Sequence, residues 1–221
     1  MDRAGYAPRL GKAVHGNGRD TVASQSTAVA KGLAGVVVDE TRICKIDRDN
    51  NLLYYFGYEI QDLTTNASYE EVSYLLIHGE LPSEKHLSAY RAEMARGRAL
   101  PDGLARALEL IPKDANPLDV LRTGLSLSGN LAPERAPASL PELGPRLAAA
   151  AVSILLYWYH FSHSAKRIDT ESGADSVAEH FLRLLHGTPP TPDRRRALDV
   201  SLIIYAEHDF NASTYAARIA A

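Results

Sequence analysis

The chain has 221 residues, of which 45% are hydrophobic and 23% are charged, enough for one sizeable core or a core with a smaller subdomain. Its formal net charge is -3, and acidic and basic residues are mixed along the sequence. The chain therefore has no overall positive electrostatic potential that would attract nucleic acid or an anionic membrane. A single cysteine, Cys44, excludes an internal disulfide, which fits a reducing compartment.

The first thirty residues contain no apolar run long enough for a signal peptide or a membrane span. Their basic residues leave a transit peptide as a weaker interpretation, but glycine and proline interrupt any amphipathic helix there. We therefore predict a flexible tail over residues 1–30 and a cytoplasmic protein.

One strand-like region follows, between Thr41 and Tyr55. The segments TRICKID and LLYYF flank the polar residues 48–51, a pattern typical of a β-hairpin. We predict no other strand in the chain.

The remaining sequence predicts one helix after another. Each of two serines is followed three residues later by a glutamate, which is the spacing of a capping box. An asparagine and a threonine each stand directly before a proline, which favours the first position of a helix. These helix starts lie at Ser68, Asn116, Ser176 and Thr191. Gly79 and Gly187 are the predicted helix ends. Apolar residues at helical spacing run through residues 104–111 and 118–125.

Residues 132–145 contain four prolines, which predicts a loop because no continuous helix or central strand accommodates them. Residues 147–163 are then apolar on nearly every face, which is typical of a helix buried in a bundle or between subunits. This segment carries Ser153 and ends in histidines, so a membrane span is the weaker interpretation. The predicted fold class is all-α with a small N-terminal β-hairpin.

Several histidines could take part in a site. His160 and His163 can share one helical face, but no Asp or Glu lies near them at a spacing typical of a metal-binding site. We interpret this pair as polar residues at the point where a buried helix emerges. His78 and His186 each precede a glycine at a predicted helix end, where the helix dipole favours an imidazolium.

The segment 201–214 concentrates polar side chains. If the helix continues, His208 lies at the end of a face shared with Ser201, Ile204 and Tyr205. The polar cluster within eight residues consists of Glu207, His208, Asp209, Asn211, Ser213 and Thr214. Such a cluster can bind a small polyanion through imidazole, amide and hydroxyl donors. It can also be an ordinary helix end, and both interpretations stay open.

Seven stretches resemble consecutive blocks of the bacterial 2-methylcitrate synthases, a branch of the citrate synthase family. They are KGLAGV (31–36), YEIQDL (58–63), EEVSYLLIHGELPS (70–83), LDVLRTG (118–124), SILLYWYHFSH (153–163), HFLRLLHG (180–187) and YAEHDFNAST (205–214). The resemblance implies a mostly helical homodimer with a large and a small domain and an active site in the cleft between them. Residues 31–221 are then the N-terminal part of the large helical domain.

The resemblance implies a Claisen-type condensation of an acyl-CoA with oxaloacetate, followed by thioester hydrolysis, with no cofactor besides the acyl-CoA substrate. Propionyl-CoA is the favoured substrate and acetyl-CoA the alternative. The chemistry needs a carboxylate base and two imidazoles. In the family, these residues lie late in the sequence, the first histidine in an HGGAN-like motif, and no such motif occurs before Ala221. We expect the catalytic residues beyond Ala221 and an inactive 221-residue chain.

Two substrate-binding residues are expected within the chain. His208 matches the family histidine that hydrogen-bonds oxaloacetate, and Asn211 matches a neighbouring amide. Tyr205 stands where energy-metabolism citrate synthases tend to carry a histidine, which favours the methylcitrate branch. Phe56 replaces the arginine of the family's YRGY motif, so the contribution of that arginine is lost or supplied elsewhere.

The expected partners are oxaloacetate, an acyl-CoA and a second copy of the chain, without nucleic acid or a membrane. The alternative function is that of a non-catalytic helical dimerisation or regulatory fragment of the same family.

Overall fold

The computed structural model describes residues 40–133 and 140–220. The chain divides into two units, Met1–Thr41 and Arg42–Ala221, and the elements described below belong to the second. The tail predicted over residues 1–30 and the KGLAGV block at 31–36 lie outside the described residues.

A small antiparallel sheet begins the second unit. Strands β1 (Cys44–Asp47) and β2 (Leu52–Tyr55) pair with Cys44 opposite Tyr55, which confirms the predicted hairpin. A short third strand, β3 (Tyr58–Glu59), pairs with β2 and was not predicted. Phe56 and Gly57 connect β2 to β3 with φ angles of 48° and 87°. Positive φ at both positions is the mark of the type I′ turns that match the twist of hairpin strands.

Nine helices follow in the described part of the chain, so the predicted mostly helical class is confirmed. They are α1 (Ile60–Asn66), α2 (Tyr69–His78), α3 (Glu84–Arg96), α4 (Asp102–Leu108), α5 (Pro117–Leu131), α6 (Leu140–Ser164), α7 (Val177–His186), α8 (Pro192–Ile204) and α9 (Ala212–Ala220).

The predicted starts of α2, α5, α7 and α8 are confirmed by their caps. A backbone N–H in the first turn donates to each capping side chain, those of Ser68, Asn116, Ser176 and Thr191. Gly79 and Gly187 end α2 and α7 with φ angles of 81° and 71°, the left-handed backbone that glycine adopts without strain.

Helix α6 is the central helix and contacts α2, α3, α4, α5 and α7. Ile154 and Trp158 of this helix are buried, as predicted, whereas Leu147 and Tyr159 are each 41% exposed. The prediction of a loop up to Pro145 is wrong, because α6 already begins at Leu140. Pro141 lies in the first turn, where its missing N–H has no intrahelical partner in any case. Pro145 is buried one turn further along and removes a single hydrogen bond close to the helix start.

The apolar residues form three buried clusters in the described part of the chain. One lies between the sheet and helices α1, α2 and α8, and it includes Tyr55 and Ile203. The second joins α4, α5 and α6, and the third joins α2, α3, α6 and α7. Leu121 and Leu125 of the predicted apolar stripe pack in the second cluster, whereas Leu118 is 72% exposed.

None of the described helices combines the length and apolarity that a membrane crossing requires.

Candidate functional site

The connection between α8 and α9, residues 205–211, holds both residues expected to bind substrate. Helix α8 ends at Ile204, so the continuing helix considered in the sequence analysis does not occur and His208 lies in this connection. The hydroxyl of Tyr55 lies against this end of α8, near the carbonyl oxygens of Ile203 and Ile204.

The Tyr55 hydroxyl holds the backbone of this connection. Its oxygen lies 3.2 and 3.1 Å from the carbonyl oxygens of Ile203 and Ile204, and 2.8 Å from that of Glu207. The Glu207 N–H donates to the same hydroxyl oxygen at 3.2 Å. Burial raises the pKa of Tyr55 to about 12, so the hydroxyl keeps its proton and can donate. Strand β2 therefore fixes the backbone directly before His208.

Cys44 contacts the same connection from β1. It stands opposite Tyr55 in the sheet register, and the backbone of Asp209 acts on the pKa of its thiol, lowering it against the larger effect of burial. Burial raises the pKa of Cys44 to about 11, so the group is a neutral thiol at pH 7. Asp209 itself has a φ of 74°, a conformation that costs a non-glycine residue roughly 1–3 kcal/mol, which the surrounding contacts must offset.

His208 presents an exposed imidazole on this constrained backbone. Its own backbone N–H donates to Oε1 of Glu207 at 2.9 Å. The imidazole makes no hydrogen bond to another residue of the described ranges, so both ring nitrogens remain available to a ligand.

Asn211 begins helix α9 as a cap, which the sequence analysis did not assign to it. Its Oδ1 accepts hydrogen bonds from the N–H groups of Ser213 and Thr214 at 3.0 and 2.9 Å. The carboxamide oxygen is therefore engaged in the cap, and the amide nitrogen remains as a donor. A binding role for the amide nitrogen of Asn211 is compatible with this cap.

The other histidines have structural contacts. Nε2 of His160 lies 2.8 Å from the Leu184 carbonyl oxygen. His78 stacks on Tyr74 at 3.9 Å between ring centroids, and burial lowers its pKa. Desolvation therefore acts against the imidazolium that the helix dipole was expected to favour at His78. Across residues 40–133 and 140–220, no group of three or more His, Cys, Asp or Glu side chains could hold a metal ion.

Phe56 packs against the apolar cluster beneath the sheet. A Cβ added at Gly79 would lie 3.5 Å from its ring, so the aromatic side chain fits against the end of α2. The turn residue thus contributes apolar packing at the position where the family motif has an arginine.

The family of the chain follows from its similarity to known proteins. The citrate synthase C-terminal domain family matches residues 32–221, and the chain belongs to the citrate synthase family. It is 47% identical to the 2-methylcitrate synthase of Shewanella oneidensis over 190 residues, which are 86% of this chain and 51% of that protein. It is 38% identical to 2-methylcitrate synthase 2 of Corynebacterium glutamicum over 202 residues, covering 88% of this chain and 52% of that protein.

A solved structure has the same fold. The crystal structure of citrate synthase from Thermotoga maritima matches with a TM-score of 0.74 and 33% identity, covering 85% of this chain and 49% of that one. The chain therefore spans about half the length of the relatives it matches.

Proposed function

We propose that this chain is part of an enzyme that condenses an acyl-CoA with oxaloacetate and releases CoA with 2-methylcitrate or citrate. Propionyl-CoA is the proposed acyl donor, because the relatives with 47% and 38% identity are 2-methylcitrate synthases. The structural observation that carries the proposal is the exposed imidazole of His208 on a connection held in place by Tyr55.

His208 and Asn211 are the proposed oxaloacetate-binding residues of this chain. An imidazole N–H and an amide N–H can each donate to a carboxylate or keto oxygen, and a hydrogen bond to a charged group contributes roughly 1.5–3 kcal/mol. Two such bonds do not offset the cost of immobilising a solvated dianion, so tight binding needs cationic groups from the rest of the enzyme. We place the catalytic aspartate and the two catalytic histidines there as well, with no cofactor besides the acyl-CoA substrate.

A cytoplasmic homodimer is the proposed state of the enzyme. Large apolar side chains are exposed near α4, α5 and α6, with Leu110 85%, Leu118 72% and Tyr159 41% exposed. Exposed apolar residues of this size support a protein partner, and a second copy of the chain is the simplest one. The same surface would serve the alternative function, a non-catalytic helical dimerisation or regulatory module.

The decisive assay is release of free CoA in the presence of oxaloacetate. It compares the 221-residue chain with a fusion, in which the remaining C-terminal residues of the Shewanella oneidensis enzyme follow Ala221. We expect turnover by the fusion, faster with propionyl-CoA than with acetyl-CoA, and none by the chain alone. A folded but inactive fusion would favour the non-catalytic alternative, and turnover by the chain alone would show that the chemistry lies within these residues.

A further inference from the structure

We infer that the Tyr55 hydroxyl is a positioning group for His208 and raises the affinity for oxaloacetate through the protein backbone, without contacting the substrate. This inference rests on the proposed function, because it concerns the same imidazole. It assigns a role in the site to a strand residue that stands more than 150 positions before His208 in the sequence.

The first argument is the geometry of the Glu207 peptide groups. One hydroxyl oxygen contacts both the N–H and the carbonyl oxygen of Glu207, at 3.2 and 2.8 Å. The Glu207 carbonyl carbon is bonded to the nitrogen of His208, and these atoms lie in one rigid plane. The hydroxyl therefore fixes the orientation of the peptide plane from which the His208 side chain begins.

The second argument is that the backbone is also held on the other side of His208. The carbonyl oxygen of Asp209 accepts the Asn211 N–H at 2.8 Å, and the Asp209 backbone interacts with the thiol of Cys44. Cys44 and Tyr55 are directly opposed on adjacent strands, so both contacts come from one cross-strand pair. The φ of 74° at Asp209 is the kind of unfavourable conformation that persists only where the surroundings impose it.

The third argument is that the Tyr55 hydroxyl can position His208 but cannot contact the substrate itself. Tyr55 is fully buried, with no exposed surface, so its hydroxyl cannot reach a ligand bound at the exposed His208 ring. Its aromatic ring packs in the core cluster beneath the sheet, and that packing remains if the hydroxyl alone is removed. Tyr55→Phe therefore isolates the hydrogen bonds to the connection.

The matched control is Tyr54→Phe, the same chemical change at the neighbouring residue of β2. Successive strand residues point to opposite faces, so Tyr54 lies on the face away from Tyr55. Its hydroxyl makes no hydrogen bond to another residue of the described part of the chain, and its ring lies 6.0 Å from Nζ of Lys45.

The first experiment measures amide hydrogen exchange by NMR in the 221-residue chain. We expect Tyr55→Phe to accelerate exchange of the Glu207 and His208 amides about tenfold or more, with the amides of β1 and β2 unchanged as a check of folding. Tyr54→Phe should leave all of these rates as in the wild type. Unchanged exchange at Glu207 and His208 in a folded Tyr55→Phe chain would overturn the inference.

The second experiment measures CoA release by the fusion as a function of oxaloacetate concentration. Tyr55→Phe should raise the KM for oxaloacetate about tenfold while kcat stays within about a factor of two, since the hydroxyl orders the binding residue and touches no reacting atom. An unchanged KM would overturn the inference and leave the proposed function standing. A folded wild-type fusion without turnover would instead contradict the proposed function, and the exchange comparison would still decide whether the hydroxyl fixes the His208 backbone.

Discussion

The hydroxyl of Tyr55 contacts the Glu207 backbone twice, 2.8 Å from its carbonyl oxygen and 3.2 Å from its nitrogen. This contact joins a short strand near the start of the described chain to the connection between its last two helices. The helices between them bring the two residues together, so the geometry around His208 depends on the stability of the whole helical assembly.

Asp199 provides the second tie between α8 and the early part of the chain. Its carboxylate accepts the Tyr69 N–H at 2.9 Å and Nη1 of Arg196 at 2.7 Å. Asp199→Ala would leave a backbone donor and a cation without this partner, and we expect it to lower the free energy of unfolding by roughly 1–3 kcal/mol. The control Asp193→Ala, on the exposed first turn of the same helix, should cost less than about 1 kcal/mol. Urea unfolding measures both, and equal losses would contradict the assigned role.

Helix α5 contains two glycines that should respond in opposite directions to substitution by alanine. A Cβ at Gly124 would lie 2.5 Å from Cγ2 of Ile154 on α6, whereas nothing lies within 4 Å of a Cβ at Gly129. Gly124→Ala should therefore destabilise the protein by roughly 1–3 kcal/mol through overpacking. Gly129→Ala should stabilise it by about 0.5–1 kcal/mol through helix propensity. A tolerated Gly124→Ala would show that α5 and α6 are not packed this closely.

The buried imidazole of His180 on α7 should make stability depend on pH. Hydroxyl groups of Ser153 and Ser172 lie 3.2 and 2.8 Å from its two ring nitrogens. Burial, with a smaller contribution from Arg98, lowers the pKa of His180 from 6.5 to about 4. As the pH falls, His180 is therefore protonated near pH 6.5 in the unfolded chain but only near pH 4 in the folded chain. The free energy of unfolding should fall across that window as pH decreases, by at most about 3 kcal/mol.

His180→Gln tests this dependence by removing the titrating group while retaining polar atoms for the two serines. The difference in unfolding free energy between wild type and variant should shrink between pH 6.5 and pH 4. The comparison with the variant is needed because Glu70 also makes stability depend on pH. Burial raises the pKa of Glu70, so its contribution to the free energy of unfolding falls as pH rises, opposite to that of His180. His163→Gln, at the exposed end of α6, is the control. A difference that does not vary with pH would refute the assignment.

Association of the chain can be measured by light scattering. We expect a mass above the 24.1 kDa of one chain at high concentration, because apolar side chains such as Leu110 and Leu118 are exposed. Replacing both leucines by glutamine should lower the measured mass. Tyr205→Gln is the control, because Tyr205 is equally exposed but lies on the connection after α8. A well-behaved monomer at high concentration would contradict the proposed homodimer.

Local signals in the sequence were sufficient for much of the fold. The hairpin and the caps at Ser68 and Thr191 depend on residues that are close in the chain, so their patterns can be read directly. The start of α6 was missed because prolines near a helix N-terminus cost far less than prolines in its interior.

The site was less predictable, because its geometry depends on distant contacts. The resemblance pointed to His208, but the sequence left open whether the helix before it continues, and that helix ends at Ile204. The backbone after that helix end contacts Tyr55, almost 150 residues away, and no local pattern reports such a contact. The only available signal was that a tyrosine in a buried strand needs a partner for its hydroxyl.

The most direct test of the proposed function is the oxaloacetate dependence of CoA release by the fusion carrying His208→Ala. The matched control is His163→Ala, which removes an exposed imidazole at the end of α6. If His208 binds oxaloacetate, its loss should raise the KM for oxaloacetate about tenfold or more, the equivalent of roughly 1.4 kcal/mol or more of lost binding, while the protein stays folded and the control is unaffected. A folded His208→Ala fusion with the wild-type KM and turnover would contradict the placement of the substrate at this connection.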